Sequence, residues 1–465
     1  VLRKRDLKNR QRLIRRAVFL LMLLFCLSGV LSASPTRTEE TAKYLVLDNG
    51  LKVFLMEKRS IPLVNVVAAV GLGSKDETPE TSGVVHVLEH YILFRGTEVR
   101  SGDDVGLDVR RHGAYFNAQT GNDLAFFEIS VPVAAVDFAL GNQREILFSL
   151  RITQDELDAE KEVILEEFNQ LEDDPFRYAT ALVYQNLFRG HPYSNPLIGD
   201  SEVIKNLSAQ KVSDFYRRYF VPGNCALAIV GDFSVADMEN KVRKFFGGIQ
   251  GGPPVREKIE PAEPPNKDVD LEVEMDVQKA YLVLAVQAPD FNNPEQYSMD
   301  VLTEILGRGI NPLLYSALNR GPRRLIETLS MIYMAHKYGG ALLAFFTLDP
   351  KNLNRVKREA VRYLRKAKEE NFSPDDVLGA EQMFAFDRLG SAKNHIKYSA
   401  YRAQERGLSM AASLAQFMIL REGEAERKFL ENIGMVKSGD LRKTASNYLS
   451  RANYVMVSIL PKKTD

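Results

Sequence analysis

His86-Val-Leu-Glu89-His90 places two histidines four residues apart, with a glutamate immediately before the second. On a helix, residues i and i+4 share a face, so both imidazoles can bind one metal ion. Glu89 follows His86 by three residues and points to nearly the same side. It can act there as a general base on a water activated by the metal, without being a ligand itself. Neutral imidazole suits Zn2+, and a fourth position left open makes such a site catalytic rather than structural. The chain has six histidines in 465 residues, and two of them fall at this spacing. A third protein ligand is needed. The acidic stretch Asp155 to Glu167 offers Glu156, Glu160, Glu162, Glu166 and Glu167. On a helix, 156, 160 and 167 share one face and 162 and 166 another. Spacing alone leaves the choice open, and a solvated acidic face is the plain alternative.

The elements that carry these residues recur. Val64 to Val70 is a β-rich run leading into the helix with His86, and Ala280 to Val286 is a β-rich run leading into a helix over 296–306. Val87-Leu88-Glu89-His90 lines up with Val301-Leu302-Thr303-Glu304, and Asp300 stands where the first copy has His86. The second copy keeps the architecture and lacks the ligands. This pattern implies duplication of an α+β unit. A stretch over 251–268 with five prolines and few apolar residues divides the two copies and reads as an exposed linker. The expected organisation is a leader at 1–33, a metal-binding domain at 34–250, the linker, and a second domain without the metal motif at 269–465.

The flanks of the histidine motif carry a family resemblance. Gly83…His86-Val-Leu-Glu89-His90…Leu93-Phe94-Arg95-Gly96-Thr97 resembles the signature of the pitrilysin/insulinase-like (M16, inverzincin) metallopeptidases. Further matches follow in order. They are Gly113 to Asp123 around Asn117-Ala118, Glu160 to Glu167, His191-Pro192-Tyr193 to Gly199, and Phe215-Tyr216 through Asp232. The resemblance spans roughly residues 44–460. It implies an α+β fold of two homologous α/β-roll domains of the LuxS/MPP-like metallohydrolase type, forming half of a clamshell or a whole one.

The resemblance also implies roles. The third ligand of one Zn2+ per chain would be Glu167, with Glu166 as its competitor, and Glu160 would orient a ligand histidine. Asn117 and Ala118 would lie on an edge strand that pairs with an extended peptide substrate. Tyr115, Phe116, Phe126 and Phe127 would line pockets or pack the core. An Arg/Tyr pair normally comes from the second domain. Here Arg320 stands at the arginine, but Glu327 holds the tyrosine position, and Tyr333 is a poor substitute. An ionised carboxylate donates no hydrogen bond and repels an oxyanion. The resemblance therefore implies a heterodimer whose second M16-like subunit supplies the Arg/Tyr pair, with a homodimer as the alternative. The activity implied is that of a zinc endopeptidase acting on unfolded peptides or short polypeptides. A non-catalytic peptide-binding subunit and a maturation protease for one precursor are the rival readings. His112, His191, His336 and His395 each stand alone and are read as non-catalytic.

Eight Lys/Arg against one Asp in residues 1–16, an apolar run from Ala17 to Leu31, and small residues Ser32 to Ser34 form a secretory leader pattern. Periplasmic or secreted placement is expected, with an uncleaved anchor as the alternative. Setting that leader aside from the 61 basic and 61 acidic residues leaves about −7, which argues against nucleic acid as a partner. One cysteine, Cys225, then remains, in an apolar strand where a buried core role is expected.

Overall fold

The computed structural model describes residues 41–253, 258–309, 311–320, 324–376, 386–421 and 428–462. The leader reading at 1–33 and parts of the linker lie outside these residues. The first domain contains β1 (Ala42–Val46), β2 (Lys52–Glu57), β3 (Leu63–Val70), α1 (Val84–Phe94), α2 (Gly102–Arg111), β4 (Tyr115–Thr120) and β5 (Ala125–Pro132). It continues through α3 (Val136–Phe148), α4 (Gln154–Asp173), α5 (Pro175–Leu187), α6 (Ser201–Lys205), α7 (Ala209–Tyr219), β6 (Cys225–Gly231) and α8 (Val235–Phe246). Its sheet has the order β1-β2-β6-β3-β5-β4, with β2 and β6 parallel and the other pairs antiparallel.

The second domain repeats this plan with β7 (Val269–Met275), β8 (Ala280–Ala288), α9 (Gln296–Thr303), α10 (Leu313–Leu318), β9 (Thr328–His336) and β10 (Gly339–Leu348). It ends with α11 (Leu353–Lys366), α12 (Arg388–Glu405), α13 (Gly407–Leu420), α14 (Phe429–Met435), α15 (Ser438–Ala445) and β11 (Val455–Pro461). The order β7-β11-β8-β10-β9, with β11 parallel to β7, matches β2-β6-β3-β5-β4 strand for strand. The chain is α+β, built as two homologous α/β rolls. After Thr303 the α9 helix widens into a five-residue turn, closed by Gly309 N–H to the Glu304 carbonyl at 2.8 Å.

The two domains exchange helices. β3 is buried over nearly its whole length because both faces of its sheet are covered. One face packs on the first domain's own helices, including Val84, Leu88 and Leu140. The other face, with Val67, Ala69, Ala226 and Ala228, packs on Met410, Ala411, Leu414 and Met418 of α13 from the second domain. In return, Ala179, Val183 and Leu187 of α5 cover Val283, Ala285, Leu343 and Val457 of the second sheet. Each sheet would expose a broad apolar face without the other domain. The described part of the connecting stretch is largely exposed yet tethered, with Ala262 N–H on the Tyr338 carbonyl at 2.7 Å and Asn453 Nδ2 on the Pro265 carbonyl at 2.7 Å. Among the described residues, no helix is long and apolar enough to cross a membrane.

Candidate active site

Helix α1 buries Val84, Val85, Val87, Leu88, Tyr91 and Ile92 and turns the face with His86, Glu89 and His90 toward α4. Its first turn is held from outside the helix. Glu77 Oε2 accepts from Gly83 N–H and Oε1 from Val85 N–H, both at 2.9 Å. Burial pushes the Glu77 carboxyl up to about 8, against the pull of those two N–H groups. Gly83 sits in the left-handed region at φ 90°, where a Cβ would be strained.

Three carboxylates of α4, Glu156, Glu160 and Glu167, set it against α1. The Tyr91 hydroxyl donates to Glu156 Oε2 at 2.8 Å and accepts from Thr153 N–H at 3.0 Å. Glu160, 2% exposed, meets His90 Nδ1 with Oε1 at 3.1 Å and accepts from Arg95 Nε with Oε2 at 2.8 Å. Two helical turns further on, Glu167 reaches both histidines. Its Oε2 is 3.5 Å from His86 Nε2 and its Oε1 is 3.5 Å from His90 Nε2. His86, His90 and Glu167 are the one His/Cys/Asp/Glu group among the described residues whose donor atoms cluster this way, all within 4.8 Å. Bonds of about 2.0–2.1 Å in a tetrahedron put ligand atoms about 3.3–3.5 Å apart, so this donor set fits a zinc ion. Glu166 is exposed and is not part of the cluster.

The electrostatics suit metal binding. Burial pushes His86 down to about 4, and the neighbouring His90 adds to this, so the imidazole is held in its neutral ligand form. Its Nδ1 is buried without a hydrogen bond of ordinary geometry, though the Ile198 carbonyl acts on the ring. Burial alone would lower His90, but Glu160, Glu167 and Glu89 together raise it. With Nδ1–H assigned toward Glu160, Nε2 is left facing Glu167. Glu89 is not in the ligand cluster. Burial raises its carboxyl above the usual range, and Glu167 adds to this, while hydrogen bonds from Thr120 and the proximity of His90 oppose it. That is the setting of a carboxylate made more basic beside a candidate metal site.

Thr120 ends β4, the edge strand of the first sheet, which among the described residues pairs with β5 alone. Asn117 is half-buried and Ala118 is buried on this strand. Tyr115 is exposed, and Phe116 packs partly on the first core. Phe127 is a core residue, and Phe126 packs against second-domain residues including Leu420. Arg320 lies exposed just past α10, and its charge acts on Tyr363 of α11. It is not among the residues gathered around His86. Glu327 is exposed and ion-paired with Lys279, and the Tyr333 hydroxyl donates to the Pro289 carbonyl at 2.6 Å.

The other histidines have their own partners. His112 stacks on Phe138 with ring centroids 4.2 Å apart, and His191 Nδ1 accepts from Tyr193 N–H at 3.1 Å. His336 meets the Tyr184 hydroxyl at 2.9 Å, and His395 Nδ1 lies 2.6 Å from Glu304 Oε1. Cys225 is fully buried, with its thiol pushed up by burial. The sequence did not single out Glu77 or Tyr91 as residues of the site. Glu156 stood among the candidate third ligands and instead accepts from Tyr91, and Arg95 was visible as part of the Leu-Phe-Arg-Gly-Thr segment.

The two-roll fold and the candidate metal site are those expected of a two-domain metallopeptidase. The model of Insulinase (Peptidase family M16) matches residues 52–201, and that of the Peptidase M16 inactive domain matches residues 206–383. The chain belongs to the M16 peptidase family. It is similar to the zinc protease PqqE of Helicobacter pylori, 26% identical over 94% of this chain and 98% of that protein. It is also similar to the uncharacterized zinc protease YmxG of Bacillus subtilis, 21% identical over 73% of this chain and 82% of that one. A crystal structure of a protease from Helicobacter pylori superposes with a TM-score of 0.79 at 22% identity, covering 91% of this chain and all of that one.

Proposed function

We propose that this chain is a zinc-dependent endopeptidase that hydrolyses unfolded peptides or short polypeptides. The observation that carries the reading is the convergence of His86 Nε2, His90 Nε2 and the Glu167 carboxylate at 3.5 Å, with Glu89 beside them and outside the ligand set. A zinc ion held by these three residues would supply Lewis-acid activation of water and of the scissile carbonyl. Glu89 takes the proton of the attacking water on a carboxylate oxygen and delivers it to the leaving amide nitrogen. Glu160 holds His90 in one tautomer and orientation through Nδ1. β4 binds substrate by strand addition, with Asn117 and Ala118 against the substrate backbone, so main-chain bonds carry affinity and sequence tolerance is broad.

Glu327 at the expected tyrosine position supports a heterodimer in which a second M16-like subunit provides the Arg/Tyr pair, and Arg320 is then dispensable. The same residue favours the second reading, a peptide-binding subunit without turnover of its own. The leader pattern at 1–33 supports a periplasmic or secreted location. The test is hydrolysis of a quenched, unfolded peptide by zinc-loaded residues 34–465. Chelator-sensitive cleavage that Glu89→Gln abolishes supports a self-sufficient peptidase. Zinc binding without cleavage sinks that version and leaves the two-subunit one, which activity on adding the partner would then support.

A further inference from the structure

We propose that Glu77 is a positioning residue of the metal centre, fixing the first turn of α1 so that His86 and His90 face Glu167. The inference rests on the zinc-site reading above. The residue before α1, Gly83, stands at the N-cap with no side chain to cap the helix, and the first helical bond runs from Val87 N–H to the Gly83 carbonyl at 2.9 Å. The N–H groups before Val87 therefore need partners from elsewhere. Glu77, 7% exposed, supplies two of them, one with each carboxyl oxygen, to Gly83 and Val85. His86 is the next residue. Two bonds to different oxygens of one planar group fix rotation as well as position, so a slip of the helix about its axis breaks at least one of them.

Glu77 is itself held. Asn195 Nδ2 donates to the carbonyls of Ser74 at 2.9 Å and Glu77 at 3.2 Å. The helix start also packs directly on a second backbone segment, because a Cβ on Gly199 would come within 2.2 Å of Gly83 Cα. The first turn of α1 is thus held by the Glu77 carboxyl and by the Pro196–Gly199 backbone turn. Gln at 77 keeps one acceptor and points an amide N–H2 at a backbone N–H. Asp keeps both oxygens but is one methylene too short to reach both donors.

The full chain is tested with Glu77→Gln and Glu77→Asp. Three quantities are read: zinc affinity by competition with a chromophoric chelator, amide hydrogen exchange of residues 83–88 in the metal-free protein, and kcat with KM. Zinc affinity is expected to fall about 10–100-fold, the range for losing a group that orients metal ligands. Exchange at Gly83 and Val85 should quicken without global unfolding, and kcat should fall with KM nearly unchanged. Glu77→Asp should show an intermediate loss, and it decides the matter if the Gln variant does not fold. Zinc affinity and exchange at wild-type levels in a folded variant overturn the proposal. Should the wild type bind zinc yet cleave no peptide on its own, the self-sufficient peptidase reading fails while the affinity and exchange results still judge Glu77.

Discussion

The Tyr193 hydroxyl donates a 2.7 Å hydrogen bond to Asp123 Oδ1 and accepts one from Tyr338 N–H at 3.0 Å. Asp123 Oδ2 in turn accepts from Lys337 N–H at 3.0 Å and lies 3.7 Å from His336 Nδ1. Asp123 belongs to the turn that follows β4, while His336, Lys337 and Tyr338 form the end of β9 and its turn. One buried carboxylate therefore ties the end of the proposed substrate strand to the second domain.

Tyr193→Phe removes one donor and one acceptor from that tie and should cost about 1–3 kcal/mol of stability, measured by urea unfolding. Its pH dependence has a definite sign. Burial alone would raise the Asp123 carboxyl, but His336, Lys75 and Tyr193 outweigh it and hold it below the usual range. The stability this provides is present above the ordinary carboxylate pKa and is lost as pH falls through the lowered folded value. Acid unfolding of Tyr193→Phe should accordingly begin at higher pH than in the wild type. Coincident acid transitions would show that Tyr193 does not support the Asp123 charge.

Arg95 and His90 share Glu160, one on each oxygen. Glu160→Gln replaces an anionic acceptor for His90 Nδ1–H by a neutral one and should weaken zinc binding about 10–100-fold. Arg95→Gln leaves the anion in place but frees its orientation, so its loss should be smaller, below about tenfold. The double variant should be no weaker than Glu160→Gln alone, because Arg95 acts through that carboxylate. Chelator-competition titrations of the three proteins check the order. Additive losses would mean that Arg95 acts by another route.

Much of this arrangement is legible in sequence because it is periodic. His86 and His90 show their shared face at i and i+4, and Val87–His90 against Val301–Glu304 shows the duplication that the two sheets then repeat. The exchange of α5 and α13 is not legible. An apolar helix face such as Ala179, Val183 and Leu187 states that it is buried but not which sheet buries it. Glu77 leaves no trace for a different reason. A side chain that binds backbone N–H groups six and eight residues ahead across a loop creates no repeat. The choice between Glu166 and Glu167 depends on the rotation of α4, which Tyr91, Glu156 and Glu160 set through contacts far apart in the chain.

Asp300, at the helix position that His86 holds in the first domain, gives a pH prediction of opposite sign. Its surroundings raise its carboxyl from 3.8 to about 7, mainly through burial, with Arg308 opposing. A raised folded-state pKa means stability that is fully present below the unfolded pKa and lost as pH rises through about 7. Asp300→Asn removes that loss. The variant should unfold at a higher urea midpoint than the wild type near pH 8, and the difference should shrink toward pH 4 or so. A constant difference across this range would show that the carboxyl titrates normally in the fold.

Glu167 and Glu166 are adjacent in sequence, yet only Glu167 faces His86 and His90, each at 3.5 Å. If the site holds zinc as proposed, Glu167→Gln removes an anionic ligand and leaves two imidazoles, too few for a stable tetrahedral site. Zinc should then be lost to a chelator that the wild type resists, and peptide cleavage should go with it. Glu166→Gln changes an exposed side chain and should keep the metal. Glu89→Gln separates binding from chemistry, retaining zinc while losing cleavage, because its carboxylate lies outside the ligand cluster. Inductively coupled plasma measurement of zinc per chain, taken on all three variants with turnover, distinguishes these roles. Zinc lost in Glu166→Gln and kept in Glu167→Gln would mean that α4 is rotated by about 100° from the orientation described.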